Sequence, residues 1–325
     1  MLDEKILALL REDTESYVSS EELCKLAGIS RAAIWKHIEK LRTEGYDIEA
    51  SPHLGYRLAG VPDSLIPSEI KWKLRTRIFG REIISYRKVD STNDAAYELA
   101  DKGIKEGTVV LAEEQGRGKG RHGRSWVSPP KGGVYMSCIL RPRMAPNEIP
   151  RITLLAAVAA CKSIRKVTGL GAMIKWPNDI LIDNKKVCGI LTEMKAEQDS
   201  VTFIILGIGI NVNTPVRSLP KGASSLKEEM RHNGGKADLS RVEIVKKILE
   251  TLEAEYRTLK EKGFRPIMEE WEALSAMLGS RIRIVLQNRT FEGQAHDIDP
   301  DGSLVVRLDS GVMEKVSSGD VEMVR

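Results

Sequence analysis

Along the first sixty residues the apolar positions fall first at helical spacing and then in short strand-like runs. Ile6, Leu9 and Leu10 fall at helical spacing and predict a helix over Leu2–Arg11. Ser19 followed by Glu22 has capping-box spacing and predicts a second helix, Glu21–Ala27, closed by a turn at Gly28. Ser30 is a good N-cap for a third, Arg31–Thr43, whose apolar side is Ile34, Ile38 and Leu41. Two strand-like pieces follow, Tyr46–Ala50 and Tyr56–Ala59, joined by Ser51-Pro52-His53-Leu54-Gly55. Helix, turn, helix, then a β-hairpin is the order of a winged helix-turn-helix.

Gly60-Val61-Pro62-Asp63 and Pro67 break the pattern and mark a linker. Beyond it strand-like and helix-like stretches mix. Arg81–Arg87 and Thr108–Glu113 read as strands around a helix near Asn93–Asp101, and Val134–Leu140 as a strand. Glu148–Val167 reads as a long helix with a buried face. Ile174–Lys175, Ile180–Ile182, Gly189–Lys195 and Val201–Ile208 read as four strands with short turns, followed by helices near Arg241–Leu259 and Phe264–Ala276. Consecutive strands mixed with helices argue for an α+β domain on a mixed, largely antiparallel sheet. From Ser280 to Arg325 four or five short strands, with turns at Asp299-Pro300-Asp301-Gly302 and Ser310-Gly311, make a small β-barrel pattern. So few residues form a marginal core, so this module is expected to dock on the central one. The expected domains are 1–62, 66–276 and 277–325.

At 325 residues the chain has room for two or three such domains. The apolar fraction of 42% is that of ordinary soluble protein, and a net charge of +4 excludes nucleic-acid binding through bulk charge alone. Any DNA contact needs a local patch. Residues 1–60 hold eight Lys/Arg against eleven Asp/Glu, yet residues 30–45 hold Arg31, Lys36, Lys40 and Arg42 against Glu39 and Glu44. The excess falls on the helix that would enter a major groove. Ser30, Arg31, Ala32, Trp35, Lys36 and Lys40 are the candidate DNA contacts; the competing reading is a helical packing module. Cys24, Cys138, Cys161 and Cys188 form no C-x-x-C pair and read as reduced core thiols of a cytoplasmic protein. The start Met-Leu-Asp-Glu-Lys is no signal peptide, and the longest apolar stretches, Ile152–Cys161 and Val201–Val212, are too short to span a bilayer.

The densest chemistry lies at residues 116–126, Gly-Arg-Gly-Lys-Gly-Arg-His-Gly-Arg-Ser-Trp. Arg117, Lys119, Arg121 and Arg124 stand there without an acid, and four glycines deny the segment helix or strand. Cations on a glycine-rich loop suit phosphate, although such a run also suits a nucleic-acid tether. The spacing is not that of a Walker loop. Three further clusters accompany it. Asp90-Ser91-Thr92-Asn93 ends a strand and either caps the next helix or presents polar groups to a ligand. Lys175-Trp176-Pro177-Asn178-Asp179 is either a plain turn or a holder for a phosphate oxygen and Mg²⁺. Lys185-Lys186 precedes a buried strand, and Gly207-Ile208-Gly209-Ile210-Asn211 resembles half a dinucleotide fingerprint without its third glycine and following helix.

Gln115 with Gly118-Lys119-Gly120-Arg121-His122-Gly123-Arg124-Ser125-Trp126, then Lys175-Trp176-Pro177-Asn178-Asp179, then Lys186-Val187-Cys188-Gly189-Ile190-Leu191, closely resembles the biotin protein ligases. Ser30-Arg31-Ala32-Ala33-Ile34-Trp35-Lys36-His37-Ile38 makes the chain similar to the bifunctional form, ligase and biotin operon repressor, over essentially its whole length. The resemblance implies a class II synthetase-like ligase domain and an SH3-like C-terminal barrel. It implies formation of biotinyl-5′-adenylate from biotin and ATP with Mg²⁺, and biotin transfer to a lysine of a carboxylase's biotin carboxyl carrier domain. Operator DNA would be the second partner, bound by a homodimer formed on adenylate binding; neither a membrane nor a tightly bound cofactor is expected.

The same resemblance implies that Ser91, Thr92, Asn93 and Gln115 bind the biotin head group, and that Lys119, Gly120 and Arg121 lie over biotin and the adenylate. Lys186 would hold the biotin carboxylate and the α-phosphate. Arg121, Arg124, Trp126, Lys175, Asn178, Asp179 and Asn211 would serve the nucleotide, with Asp179 toward Mg²⁺, and Lys186, Arg121 and Lys175 would be catalytic. The family loop commonly carries arginine where this chain has Lys119, which keeps the charge and loses the bidentate fork. The chemistry asks for cations and positioning, without a protein nucleophile. No Ser-His-Asp or Cys-His arrangement stands out, and His122 reads as a polar loop residue. A lipoate ligase, or a repressor whose central domain only senses a ligand, are the competing functions.

Overall fold

The structure is a computed structural model and describes residues 2–197, 200–235, 239–286 and 288–324. Met1 and Arg325, which end the first and last expected domains, lie outside the described residues. The chain divides into two compact units, Met1–Ser64 and Leu65–Arg325.

The first unit is α1 (Leu2–Glu12), α2 (Ser20–Ala27), α3 (Arg31–Thr43) and an antiparallel hairpin of β1 (Asp47–Ser51) and β2 (Gly55–Gly60). Both predicted caps are made: Ser19 accepts from Glu22 N and Ser30 from Ala33 N, while Gly28 ends α2 in the left-handed region. Ile6, Leu10, Leu23, Ile34, Ile38, Leu41, Ile48 and Leu58 close a core of their own. Gly55 is required at its place, since with φ +113 a Cβ there would stand 2.0 Å from Val18 O. Its absence lets Tyr56 pair with Val18 and tie the wing to the helices.

In the second unit, α4 (Pro67–Lys71) leads into β3 (Ile83–Tyr86), α5 (Thr92–Asp101), β4 (Val109–Ala112), β5 (Gly133–Leu140) and the long α6 (Ile149–Thr168). Then come β6 (Met173–Lys175), β7 (Asp179–Ile182), β8 (Lys185–Glu197), β9 (Ser200–Asn211), α7 (Leu226–His232), α8 (Arg241–Lys262) and α9 (Arg265–Leu274). The sheet order is β3-β4-β5-β9-β8-β7-β6, antiparallel except between β3 and β4. Alternation sends Val110, Ile139, Phe203 and Ile205 against Ala96 and Ala100 of α5, and Val109, Cys138, Leu140, Ile204 and Leu206 to the opposite face with α6 and α8. The unit is therefore three layers, with α5 alone on the face that carries its N-terminus to the sheet's centre.

The C-terminal strands β10 (Arg281–Val285), β11 (Thr290–Ile298), β12 (Leu304–Arg307), β13 (Met313–Val316) and β14 (Asp320–Met323) form an antiparallel sheet in the order β13-β12-β11-β10-β14. It docks as expected: Ile282, Ile284, Ala295 and Val306 belong to the main core. Trp176 Nε1 donates to Gly302 O at 3.1 Å and Arg151 Nε to Pro300 O at 2.8 Å.

Sequence reasoning placed no element at α4 or α7. The first is a single Pro-initiated turn; the second begins at Ser225, whose side chain accepts from Glu228 N, a cap legible in Ser225 and Glu228. The cysteines are unpaired; Cys138, Cys161 and Cys188 are buried, whereas Cys24 is only partly so. Among the described residues no helix is long and apolar enough to cross a membrane.

Candidate functional site

A cleft of about 550 Å³ opens over the centre of the sheet. Its floor is β8 and β9, and three glycines shape it. A Cβ on Gly207 would stand 2.2 Å from Asn93 Oδ1, one on Gly209 2.6 Å from Trp126 Cε2, and one on Gly189 2.9 Å from Trp126 Cζ3. The glycine pair of β9 is therefore no dinucleotide fingerprint. It lies inside a strand and lets one polar and one aromatic side chain lie flat on the sheet.

The basic loop is more regular than its glycines suggest. Trp126 N donates to Gly118 O at 2.8 Å and Gly120 N to Arg124 O at 2.7 Å, with Lys119 bridged to Ser125 and a short 3₁₀ turn at Arg121–Gly123. The glycines thus permit a narrow pairing rather than deny one: a Cβ on Gly118 would stand 2.4 Å from Trp126 O. His122 sits at φ 54 in that turn, exposed, with no geometry of a base.

One end of the cleft is polar and uncharged. Ser91 caps α5, Thr92 donates from its backbone N to Gln115 Oε1 at 2.8 Å, and Gln115 Nε2 donates to Ser128 Oγ at 2.8 Å. Ser137 Oγ, fully buried, lies 2.8 Å from Thr92 Oγ1 and 2.6 Å from Asn93 Oδ1. Ser91 caps the helix, and Ser91, Thr92 and Asn93 all line the cleft.

The other end is cationic. Lys186 Nζ stands 2.7 Å from Asp179 Oδ1 and 5.4 Å from the Trp126 ring centroid. Its backbone is clamped on both sides, N to Gly222 O and O from Ser224 N, each at 2.9 Å. Asn211 Nδ2 donates to Ser224 O at 3.0 Å, and Asn178 Nδ2 to Ile190 O at 2.7 Å. Arg121 donates to Asn178 Oδ1 and to Gly319 O, both at 3.3 Å, and burial lowers the proton affinity of its guanidinium. Arg124 pairs with Asp320, and Lys175 lines the wall at the end of β6. Thus Lys119, Gly120, Arg121, Arg124, Trp126, Lys175, Asn178, Asp179, Lys186 and Asn211 meet Ser91, Thr92, Asn93 and Gln115 in one cleft. Sequence reasoning missed Asp94, Ser128, Ser137 and Glu193. They carry no local motif, and only the folding of distant segments brings them in.

Asp179 is the residue on which a Mg²⁺ ion can be tested. Its Oδ1 is buried and accepts no hydrogen bond of good geometry although Lys186 is close. Among the described residues no three metal-ligating side chains converge, and Mg²⁺ usually takes one or two carboxylates with phosphate oxygens and water. A single carboxylate whose Oδ1 is ion-paired with Lys186 at the cationic end of the cleft fits that pattern.

On the first unit, Arg31, Ala32, Trp35 and Lys36 lie exposed along α3, with Trp35 at 55%. Ser30 is spent on its cap. Lys40 is exposed as well but is tied to Asp3 at 2.7 Å and Glu44 at 3.7 Å, and Asp3 also accepts from His37.

A cleft that is polar at one end and cationic at the other, on a chain that also carries a winged helix-turn-helix, defines a carboxylate-activating ligase joined to a DNA-binding domain. Family models for the biotin/lipoate A/B protein ligase family match residues 85–211, for a helix-turn-helix domain residues 3–57, and for the biotin protein ligase C-terminal domain residues 277–324. The chain is 39% identical over 322 residues to the bifunctional ligase/repressor BirA of Bacillus subtilis, covering 99% of this chain and 98% of that one. It is 27% identical to the protein of that name from Escherichia coli, over 98% and 96% of the two chains. A solved biotin protein ligase from Aquifex aeolicus in complex with biotin and ATP superposes with a TM-score of 0.63 at 26% identity, covering 75% of this chain and all of that one. The chain belongs to the biotin protein ligases, in their bifunctional ligase/repressor form.

Proposed function

We propose that the protein activates biotin as biotinyl-5′-AMP and transfers it to a lysine of a biotin carboxyl carrier domain, and that the same protein represses biotin genes in response to the adenylate. The observation that carries this reading is the juxtaposition in one cleft of the uncharged head-group end, Ser91, Thr92, Asn93 and Gln115, with the cations Lys186, Arg121 and Lys175. The first end suits a neutral ring with donors and acceptors; the second suits a carboxylate meeting a triphosphate.

In the first step a carboxylate oxygen of biotin attacks the α-phosphorus, the bond to the bridging oxygen breaks, and pyrophosphate leaves. Two anions must come together, so neutralisation and alignment supply most of the rate. Lys186 holds both the attacking carboxylate and the α-phosphate. Arg121 and Lys175 stabilise charge as pyrophosphate departs, Arg124, Asn178 and Asn211 hold the nucleotide, and Trp126 gives its base an apolar face. Asp179 would hold Mg²⁺, which supplies charge neutralisation at the phosphates. In the second step the acceptor amine attacks the acyl carbon, AMP leaves, and the amine's proton passes to solvent. Lys119, Gly120 and Arg121 cover the mixed anhydride and exclude water.

The regulatory half assigns Arg31, Ala32, Trp35 and Lys36 to the DNA groove, with Ser30 fixing the helix start and Lys40 at its edge. We further propose that adenylate binding completes a homodimer that occupies a two-half-site operator in the cytoplasm. Footprinting with and without biotin plus ATP tests that coupling, and equal operator affinity in both would end it. The ligase reading is tested by ATP–pyrophosphate exchange with biotin, with lipoate and with neither. Exchange with biotin alone supports it. Exchange with lipoate alone moves the chain to lipoate ligation, and no exchange with either leaves a sensing repressor.

A further inference from the structure

Behind the head-group end of the cleft, polar side chains from four segments form one continuous hydrogen-bonded line. It runs from Ser128 through Gln115 to the backbone N of Thr92, from the Thr92 hydroxyl through Ser137 and Asn93 to Glu193, and on to Lys119 of the basic loop. The orientations along it are dictated from its ends. Thr92 N can only donate, so the Gln115 atom 2.8 Å away is Oε1, and Nε2 turns to Ser128. An ionised Glu193 can only accept, so Asn93 presents Nδ2 to Glu193 Oε2 at 2.7 Å and Oδ1 to Ser137. Gly207 leaves Asn93 no slack beneath it.

Glu193 itself does not line the cleft. It stands on the outer side, in a groove shared with Asp94 and the back of the basic loop. Its two oxygens serve two different cleft residues. Oε2 takes Asn93, which is buried in the first turn of α5, and Oε1 lies 3.3 Å from Lys119 Nζ, which also pairs with Asp94. One carboxylate on β8 therefore sets an amide of the head-group pocket and tethers the loop that closes over it.

We infer that Glu193 is a positioning residue that couples recognition of the biotin head group to placement of the basic loop, acting through Asn93 and Lys119. Without it the Asn93 amide is oriented only by the long 3.5 Å contact from Nδ2 to Leu191 O, since Ser137 offers one hydroxyl that can donate or accept. Lys119 then keeps only its Asp94 partner. Lys119 brings a single ammonium and no fork to this tether, so losing one of its two acids weakens it. The inference rests on the ligase reading above.

The test is biotin-dependent pyrophosphate exchange, with the KM for biotin and for ATP taken separately, and the half-life of the bound adenylate in a trap. Wild-type protein is measured first; no exchange there overturns the ligase reading and this inference together. Given wild-type exchange, Glu193→Ala raises the KM for biotin and shortens adenylate retention by about tenfold or more, with the KM for ATP changed far less. Glu193→Gln, whose amide oxygen still accepts from Asn93, recovers the biotin KM but not the retention. Lys119→Met shortens retention as Glu193→Ala does, and the double variant adds little to either, as expected of coupled residues. An unchanged biotin KM and retention in a folded Glu193→Ala protein overturns the inference, as does an equal rise in both KM values, which would mark a merely structural residue. If Glu193→Ala does not fold, retention at the wild-type level in Glu193→Gln and Lys119→Met overturns it.

Discussion

Gly209 lies directly beneath the indole of Trp126, with room between them for no more than hydrogen: a Cβ on Gly209 would stand 2.6 Å from Trp126 Cε2. Two residues away, Gly207 bears the same relation to Asn93 at 2.2 Å. The two glycines thus underlie different ends of the cleft. Gly209→Ala is expected to displace Trp126 and raise the KM for ATP with a smaller effect on biotin, and Gly207→Ala to do the reverse. Overpacking of this kind costs about 1–3 kcal/mol. Steady-state pyrophosphate exchange, with each substrate varied in turn, separates the two; identical effects from both variants would contradict this division of the cleft.

Arg121 reaches from the basic loop to Asn178 Oδ1 and to Gly319 O, each at 3.3 Å. It joins the loop both to the cleft wall and to the C-terminal sheet, which Arg124 also reaches through Asp320. Arg121→Gly removes that contact and frees the backbone, so the adenylate should escape faster and label lysines of bystander proteins. A loss of retention of roughly tenfold is expected for the hydrogen bonds to a charged group. Retention equal to wild type in a stopped-flow trap would refute it.

Arg31 and Lys36 are exposed along α3, and among the described residues neither has an ion-pair partner, whereas Lys40 is held by Asp3 and Glu44. Lys36→Ala should weaken DNA binding uniformly across sequences and reduce the salt slope of the affinity by about one. Lys40→Ala should do less, because its charge is already neutralised. Ligase activity should be unaffected in both. A larger slope change from Lys40 than from Lys36 would reverse the assignment of the DNA-facing side.

Asp301 in the turn before β12 has its carboxyl held at about 2. Burial pushes it up, but hydrogen bonds from Lys315 and Ser303 and the lysine charge outweigh that. A depressed carboxyl contributes stability that is complete above its unfolded value, 3.8, and is lost as pH falls through about 2. Asp301→Asn should therefore be less stable than wild type near neutrality, with the difference shrinking as pH drops across that window. Urea midpoints of both proteins at several pH values check this. A difference that stays constant down the series would mean the residue acts through its turn geometry and not its charge.

Much of the fold was legible because its signals are local. Ser19 and Ser30 cap the helices that their spacing promised, and the long α6 begins and ends within a residue or so of the predicted limits. Strand edges were less so, since pairing extends β8 to Glu197 and β9 to Asn211, beyond the expected ends at Lys195 and Ile208. The cluster of candidate site residues was legible through motif blocks that combine charged, amide or hydroxyl side chains with turn signals or buried strands. Glu193 was not: in sequence it is one more acid near the end of an apolar run, and its meaning depends on Asn93, a hundred positions away.

By itself, then, the sequence determined the three-part order of the chain, the helix starts, the cationic loop and the family to which these belong, because caps, periodicity and charge act between neighbours. Only the tertiary structure decided that Gly207 and Gly209 are a floor rather than a nucleotide motif, that the basic loop is a paired turn fastened to the C-terminal sheet through Arg121 and Arg124, and that Lys40 is spent on Asp3. Each of these depends on which distant backbone approaches within a van der Waals or hydrogen-bond distance, and that is set by how the sheet orders its strands rather than by any run of residues along one of them.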